Sequence, residues 1–97
     1  MSDSNVQSAL EIIREQHKKL QDFATTLAPT LGESDNFTYL ERWEKTTLER
    51  LKGLITGRQL QSFKNIRLKQ RFELPRDQQI NQLIGWFLGE LEAWLGE

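Results

Sequence analysis

The sequence has no cysteine. This absence excludes disulfide bonds, cysteine-based zinc sites, thiol nucleophiles and iron–sulfur ligation. It has a single histidine, His17, which is too few imidazoles for a typical zinc site. No apolar run approaches the ~20 residues that a membrane-spanning helix needs, and no signal-peptide pattern opens the chain. We therefore expect no metal, no cofactor, no membrane partner and a cytoplasmic location.

Charge is balanced over the whole chain but not along it. The formal net charge is −1, so no global field attracts nucleic acid. The segment 58–76 carries six basic residues against one acid, a net charge of +5. The segment 77–97 carries four acids and no base, a net charge of −4. This asymmetry makes the segment 58–76 the place to look for contact with nucleic acid.

Apolar residues recur at helical spacing along most of the chain, whereas the alternation typical of β-strands persists nowhere. The 97 residues fit one domain, and 37% of them are hydrophobic, which suits a globular protein. We predict an all-α fold, a single domain over residues 1–97 built as a small bundle of three long helices plus one short helix. The end at Gly96-Glu97 leaves two interpretations open, a natural terminus and an excised N-terminal domain of a longer protein.

The first two helices are predicted over about 4–27 and about 37–56. His17 lies on the stripe of the first helix, and we interpret it as a histidine at the edge of the core. Gly57 is expected to stop the second helix. The predicted stripe of helix one is Val6, Leu10, Ile13, His17, Leu20, Ala24 and Leu27, widened by Ile12 and Phe23. The predicted inward face of helix two is Leu40, Trp43, Thr47, Leu51 and Leu54.

A short third helix is expected from residue 58 to about 68, followed by an irregular basic connection that ends at Pro75. Helix four begins after Pro75. Trp86 and Leu88 fall outside its main stripe, so helix four is apolar over more of its circumference than the other helices. Such a helix either lies centrally or presents a second apolar surface to a partner. Its predicted core stripe is Ile80, Leu83, Ile84, Phe87, Leu91, Trp94 and Leu95.

No set of side chains in the sequence resembles a catalytic centre. His17 would need an activating partner, and its neighbours one turn away are apolar. Acidic pairs such as Glu11 with Glu15 are helix neighbours, but nothing near them supplies other ligand types. There is no glycine-rich loop that would hold phosphate. We therefore expect no catalytic residues and no enzyme.

Helix four carries the predicted partner-binding residues. An exposed Trp86 beside Leu88 would be a good anchor for an interface. Gly85 and Gly89 form a Gly-x-x-x-Gly pair with two open interpretations. One is close helix–helix contact, as in a homodimer; the other is two tolerated small residues, each costing about 1 kcal/mol of helix propensity. The leading hypothesis is a non-catalytic protein-interaction or self-association module, whose partner is another protein or a second copy.

The basic segment supports an alternative hypothesis, a nucleic-acid-binding module. Its cations are interleaved with Phe63 and Phe72, and these residue types bind phosphates and stack on bases. Against it, the acidic helix four could neutralise the segment, and no recognition helix stands out. The cations that would contact nucleic acid are Lys64, Arg67, Lys69 and Arg71.

The stretch 39–51, Tyr39-Leu40-Glu41-Arg42-Trp43-Glu44-Lys45-Thr46-Thr47-Leu48-Glu49-Arg50-Leu51, is followed by Ser62-Phe63-Lys64-Asn65-Ile66. Together they resemble a helical segment of bacterial conflict, or abortive-infection, proteins. The shared pattern is a tryptophan, a threonine three or four residues later, leucines at helical spacing, and a phenylalanine near an isoleucine. The chain departs from it at Ile55-Thr56-Gly57-Arg58, where Phe-Gly and an acidic turn often follow. The resemblance implies an adaptor or sensing module in bacterial defence, with no catalytic residue.

Overall fold

The computed structural model describes residues 2–96, and it describes the side chains of residues 7–96. This part of the chain contains four α-helices and no β-strand, which confirms the prediction of an all-α fold. None of its helices is long and apolar enough to cross a membrane. The helices are α1 (Ser2–Asp22), α2 (Glu33–Leu51), α3 (Gly57–Leu68) and α4 (Arg76–Trp94).

The chain leaves α1 through an irregular helical stretch. Phe23–Leu27 form a π-helical turn, and Ala28–Thr30 form a 3₁₀ turn with Pro29 at its start. The hydroxyls of Thr25 and Thr26 both donate to the carbonyl of Asp22. Hydroxyl groups that take helical carbonyls in this way compete with the regular backbone ladder. The predicted end of helix one, at about residue 27, falls inside this stretch.

The buried face of α1 differs in phase from the predicted stripe. Ile13, Leu20 and Phe23 belong to both, while His17 is half-buried and Leu27 is 42% exposed. The side chain of Val6, also in the predicted stripe, lies outside the described residues. The prediction was wrong because the polar Gln16 lies in the centre of the true face, where hydrogen bonds satisfy its amide. The buried residues of this face are Ala9, Ile13, Gln16, Leu20 and Phe23.

The boundary between α2 and α3 also differs from the prediction. The helix ends at Leu51, and Gly53 has a positive φ of 80°, a conformation that favours glycine. The expected stop, Gly57, is instead the first residue of α3. Thr56 caps that helix: its Oγ1 accepts from the backbone N–H of Gln59 at 3.1 Å, and the Gln59 side chain accepts from the N–H of Thr56 at 2.9 Å. This reciprocal pair is a capping box.

Helix α4 lies centrally, since it contacts α1, α2 and α3. The predicted stripe from Ile80 to Leu91 is buried, and Trp94 and Leu95 at its end are half-buried. Phe87 of this helix meets one aromatic side chain from each of two other helices. Its ring centroid lies 5.2 Å from that of Trp43 on α2 and 5.1 Å from that of Phe63 on α3. This aromatic cluster joins α2, α3 and α4.

Candidate functional site

The predicted binding residues on α4 lie on two different kinds of surface. Trp86 and Leu88 are half-buried and pack against the core, so the prediction of an exposed Trp86 is wrong. Gly85 and Gly89 are exposed, and a Cβ atom built on either would meet nothing within 4 Å. No other part of the described chain therefore approaches α4 closely at these glycines. The role of all four residues in binding stays a prediction.

The most exposed large apolar side chains of the described residues lie elsewhere, at the end of α3. Leu68, the last residue of α3, is 81% exposed, and Phe72, in the connection to α4, is 76% exposed. Isolated exposed hydrophobic residues are common on proteins. These two are four residues apart, so their backbones lie within about 14 Å of each other. We call these two residues the exposed apolar pair. The sequence pattern marked Phe72 as a stacking residue for nucleic acid and did not mark Leu68.

A groove of about 590 Å³ opens beside Phe72. This volume is within the range of about 300–1,000 Å³ that is usual for binding pockets. The Arg76 guanidinium at its edge lies 5.3 Å from the centroid of the Phe37 ring, within cation–π distance. The groove is lined by Phe37, Arg67, Gln70, Phe72, Leu74, Pro75, Arg76 and Gln79. We call this groove, together with Leu68 and the connection 69–75, the α3–α4 corner.

The connection is held in place by a buried amide, Gln79 of α4, which is 6% exposed. Its Nε2 donates to the backbone carbonyl of Leu74 at 2.8 Å and to that of Phe72 at 3.4 Å. Its Oε1 accepts from the side-chain amide of Gln70 at 2.8 Å. Since carbonyls in a connection without regular structure need partners, Gln79 fixes the backbone on which Phe72 is displayed. Sequence reasoning missed Gln79, although its place beside Ile80 on the inward side of α4 was a signal.

Ion pairs divide the cations of the corner into two groups. Arg67 Nε lies 2.7 Å from Glu44 Oε1, and Arg71 Nε lies 2.7 Å from Glu73 Oε1. The backbone N–H of Glu73 and then the Arg71 side chain lower the pKa of the Glu73 carboxyl. Among the described side chains, no carboxylate lies within 4.0 Å of the other cations. These unpaired cations are Lys69 and Arg76 in the corner and Lys64, one helical turn before Leu68.

The residues predicted for nucleic-acid contact come together at the corner, but they are not equally available. Lys64 and Lys69 are exposed, whereas Arg67 and Arg71 are held by carboxylates. The stacking role predicted for Phe63 is wrong because its ring is fully buried against the aromatic side chains of α2 and α4. Phe72 is the one aromatic of that pattern that can face a ligand.

Among the described side chains, His17 contacts one acid, Glu92. Its Nε2 lies 3.2 Å from Glu92 Oε2, a contact that joins α1 to α4. The half-buried ring sits at the edge of the core, as the sequence predicted. Within residues 7–96, no group of three or more histidine, aspartate or glutamate side chains is placed to hold a metal ion. The contact therefore has the geometry of a bridge between helices.

Comparison of the chain with family models, with curated proteins and with solved structures gave no match. The resemblance of the stretch 39–51 to abortive-infection proteins thus stays a prediction. The α3–α4 corner and the outer face of α4 are the two surfaces of the described chain that could bind a partner.

Proposed function

We propose that this chain is a non-catalytic, helical protein-interaction module. The observation that carries the proposal is the exposed pair Leu68 and Phe72, placed beside a groove. Burying one such side chain against a partner contributes roughly 1.5–3 kcal/mol. The fold also places a buried, fully hydrogen-bonded glutamine, Gln79, under the connection that displays Phe72. A surface of this kind fits recognition better than chemistry, since it offers apolar contact area and no activated group.

The proposal includes an architecture and a setting. The architecture is a small bundle of three long helices plus one short helix, in which the short helix α3 ends at the docking surface. The setting is the bacterial cytoplasm, where the module acts as an adaptor or sensor in a defence system. The resemblance of the stretch 39–51 supports this setting.

A second surface of the module serves self-association. No charged residue occurs on α4 from Gln78 to Gly89, so its outer face there is neutral. Gly85 and Gly89 leave room for another backbone to approach, and Trp86 and Leu88 flank them on either side. Depletion of charge at an interface centre is the compositional feature that distinguishes protein contacts from ordinary surface.

Site-specific photo-crosslinking in the cells that encode the chain tests the proposal. A photoreactive phenylalanine analogue replaces Phe72 in one variant and Gln21, an exposed residue of α1, in the control. We expect irradiation to give a discrete protein adduct at position 72 that is absent at position 21. Adding purified chain in excess should compete the adduct away, because the docking surface is saturable. Identical adduct patterns at the two positions, or an adduct with nucleic acid alone, would contradict a protein-interaction module.

A further inference from the structure

We infer that the α3–α4 corner binds an acidic polypeptide segment, which inserts a bulky apolar side chain into the groove beside Phe72. The inference rests on the proposed function and names the chemical class of the partner. It combines the exposed apolar pair, the groove and the unpaired cations, which occur together at one end of α3.

The charges around the apolar pair specify the sign of the charge that the partner must carry. Lys64 precedes Leu68 by four residues, so both lie on the same face of α3. Lys69 follows Leu68 directly, and Arg76 lies at the edge of the groove. An apolar centre with a polar rim is the usual anatomy of a protein interface, and here the rim carries more cations than acids, with Asp77 as the acid next to Arg76. Complementary charge speeds the encounter with an acidic partner and excludes basic ones.

The groove specifies the anchor. Phe37, Phe72, Leu74 and Pro75 give it apolar walls, and their side chains form a receptor for an aliphatic or aromatic group. The Arg76 guanidinium lines it as well, where it can face a carboxylate that flanks the anchor. Anchors of this kind, buried in a pocket and surrounded by weaker contacts, dominate the binding energy of protein interfaces.

Nucleic acid fits the same surface less well. Leu68 has no flat face for stacking a base, and burying a leucine against a sugar–phosphate backbone gains little. Two of the four cations predicted to contact phosphate are paired with Glu44 and Glu73. Three unpaired cations would give a shallow dependence of log affinity on log salt, with a slope of about −2 for a single strand.

Selection of peptides tests the inference with a defined probe. A library of short random peptides displayed on phage is selected on the full chain and counter-selected on the Phe72→Ser variant. We expect the enriched peptides to carry aspartate or glutamate on both sides of a leucine or an aromatic residue. Parallel titrations with single-stranded and double-stranded DNA at low and physiological salt test whether the cations of the corner bind nucleic acid instead of an acidic peptide.

Affinities of the best synthetic peptide locate its binding site. We expect Phe72→Ser and Leu68→Ser each to weaken binding at least about tenfold, the loss of a hot-spot contact. Lys64→Glu and Lys69→Glu should each weaken it about threefold at low salt and less at high salt. The matched controls are Leu27→Ser, at the other exposed large hydrophobic residue, and Lys18→Glu on α1, which should leave the affinity unchanged. Circular dichroism melting checks that every variant is folded.

Three results would overturn the inference. The first is enrichment of neutral or basic peptides, or of none that depends on Phe72. The second is equal affinity for the corner variants and their controls. The third is DNA binding that Lys64→Glu abolishes while no acidic peptide is enriched. A protein adduct at position 72 together with any of these leaves the interaction module in place and removes only the acidic partner.

Discussion

At the scale of single residues, a buried polar network sets how α1 and α2 fit together. Gln16 is fully buried, and its Nε2 donates to Thr47 Oγ1 at 2.7 Å. The Thr47 hydroxyl in turn donates to the carbonyl of Trp43 at 2.7 Å, and the Trp43 indole N–H donates to the carbonyl of Gln16 at 2.9 Å. Each of these donors has an acceptor, so the network selects one pairing of the two helices. Sliding either helix would leave these donors buried and unpaired.

Thr47→Val tests this network. Valine has nearly the same shape, but it leaves the Gln16 Nε2 as a buried donor without its acceptor. We expect a loss of about 1–3 kcal/mol in the free energy of unfolding, measured by urea denaturation. The control is Thr46→Val, the exposed neighbour on the same helix, which should change stability by less than about 0.5 kcal/mol. Similar effects of the two substitutions would show that the hydrogen bond does not hold the helices in register.

At the scale of the elements, apolar spacing predicted α3 and α4 well. The expected short helix from residue 58 to about 68 corresponds to Gly57–Leu68, and the buried stripe of α4 was predicted from Ile80 to Leu91. These elements are predictable because their inward positions are almost all large and apolar. The phase of α1 was missed because Gln16 and the small Ala9 carry little hydrophobic signal.

The α3–α4 corner was only partly predictable from the sequence. The sequence marked the six basic residues of the segment 58–76, and five of them, from Lys64 to Arg76, lie at the corner or within one helical turn of Leu68, whereas Arg58 lies at the other end of α3. It could not show that Phe72 is exposed while Phe63 is buried, because that difference depends on how the connection is held. Gln79 holds it through bonds to backbone carbonyls five and seven residues earlier, a pairing that no local pattern encodes.

The turn between α2 and α3 gives a test at the element scale, because alanine at its two glycines should change stability in opposite directions. Gly53 has a φ of 80°, so Gly53→Ala should cost about 1–2 kcal/mol of stability. Gly57 lies in the first turn of α3 and has open space at its Cβ position. Gly57→Ala should therefore stabilise the chain by a few tenths of a kcal/mol. Thermal and urea unfolding measure the change in stability of each variant. A loss of similar size in both variants would contradict the conclusion that only Gly53 needs the conformation of a glycine.

At the scale of the whole molecule, opposite charges are separated along α4. The helix begins at the basic corner and runs for 19 residues. Its length is therefore about 28 Å, well beyond the screening length of about 8 Å at physiological salt. Glu90 and Glu92 lie near its far end, where Glu92 meets His17. These two acids lie too far away to neutralise the corner, and Asp77 in the first turn is the acid of α4 that lies beside its cations.

The neutral outer face of α4 leads to a prediction about assembly. Gly85 and Gly89 lie in the helix interior with open space at both Cβ positions. Alanine at each site should therefore stabilise the single chain by about 1 kcal/mol. The two added methyl groups should also keep a second backbone from approaching, so we expect the double variant to self-associate more weakly than the wild type.

Sedimentation equilibrium and thermal melting over a range of concentrations separate the two effects. Mass action makes the melting temperature of a self-associating chain rise with concentration. We expect that rise for the wild type and a smaller one for the Gly85→Ala, Gly89→Ala double variant, whose melting temperature at low concentration should be the higher of the two. Gly57→Ala, which removes a glycine of a different helix, α3, should keep the wild-type concentration dependence. A wild-type chain that stays monomeric at every concentration would remove α4 as a self-association surface and leave the α3–α4 corner as the docking surface of the module.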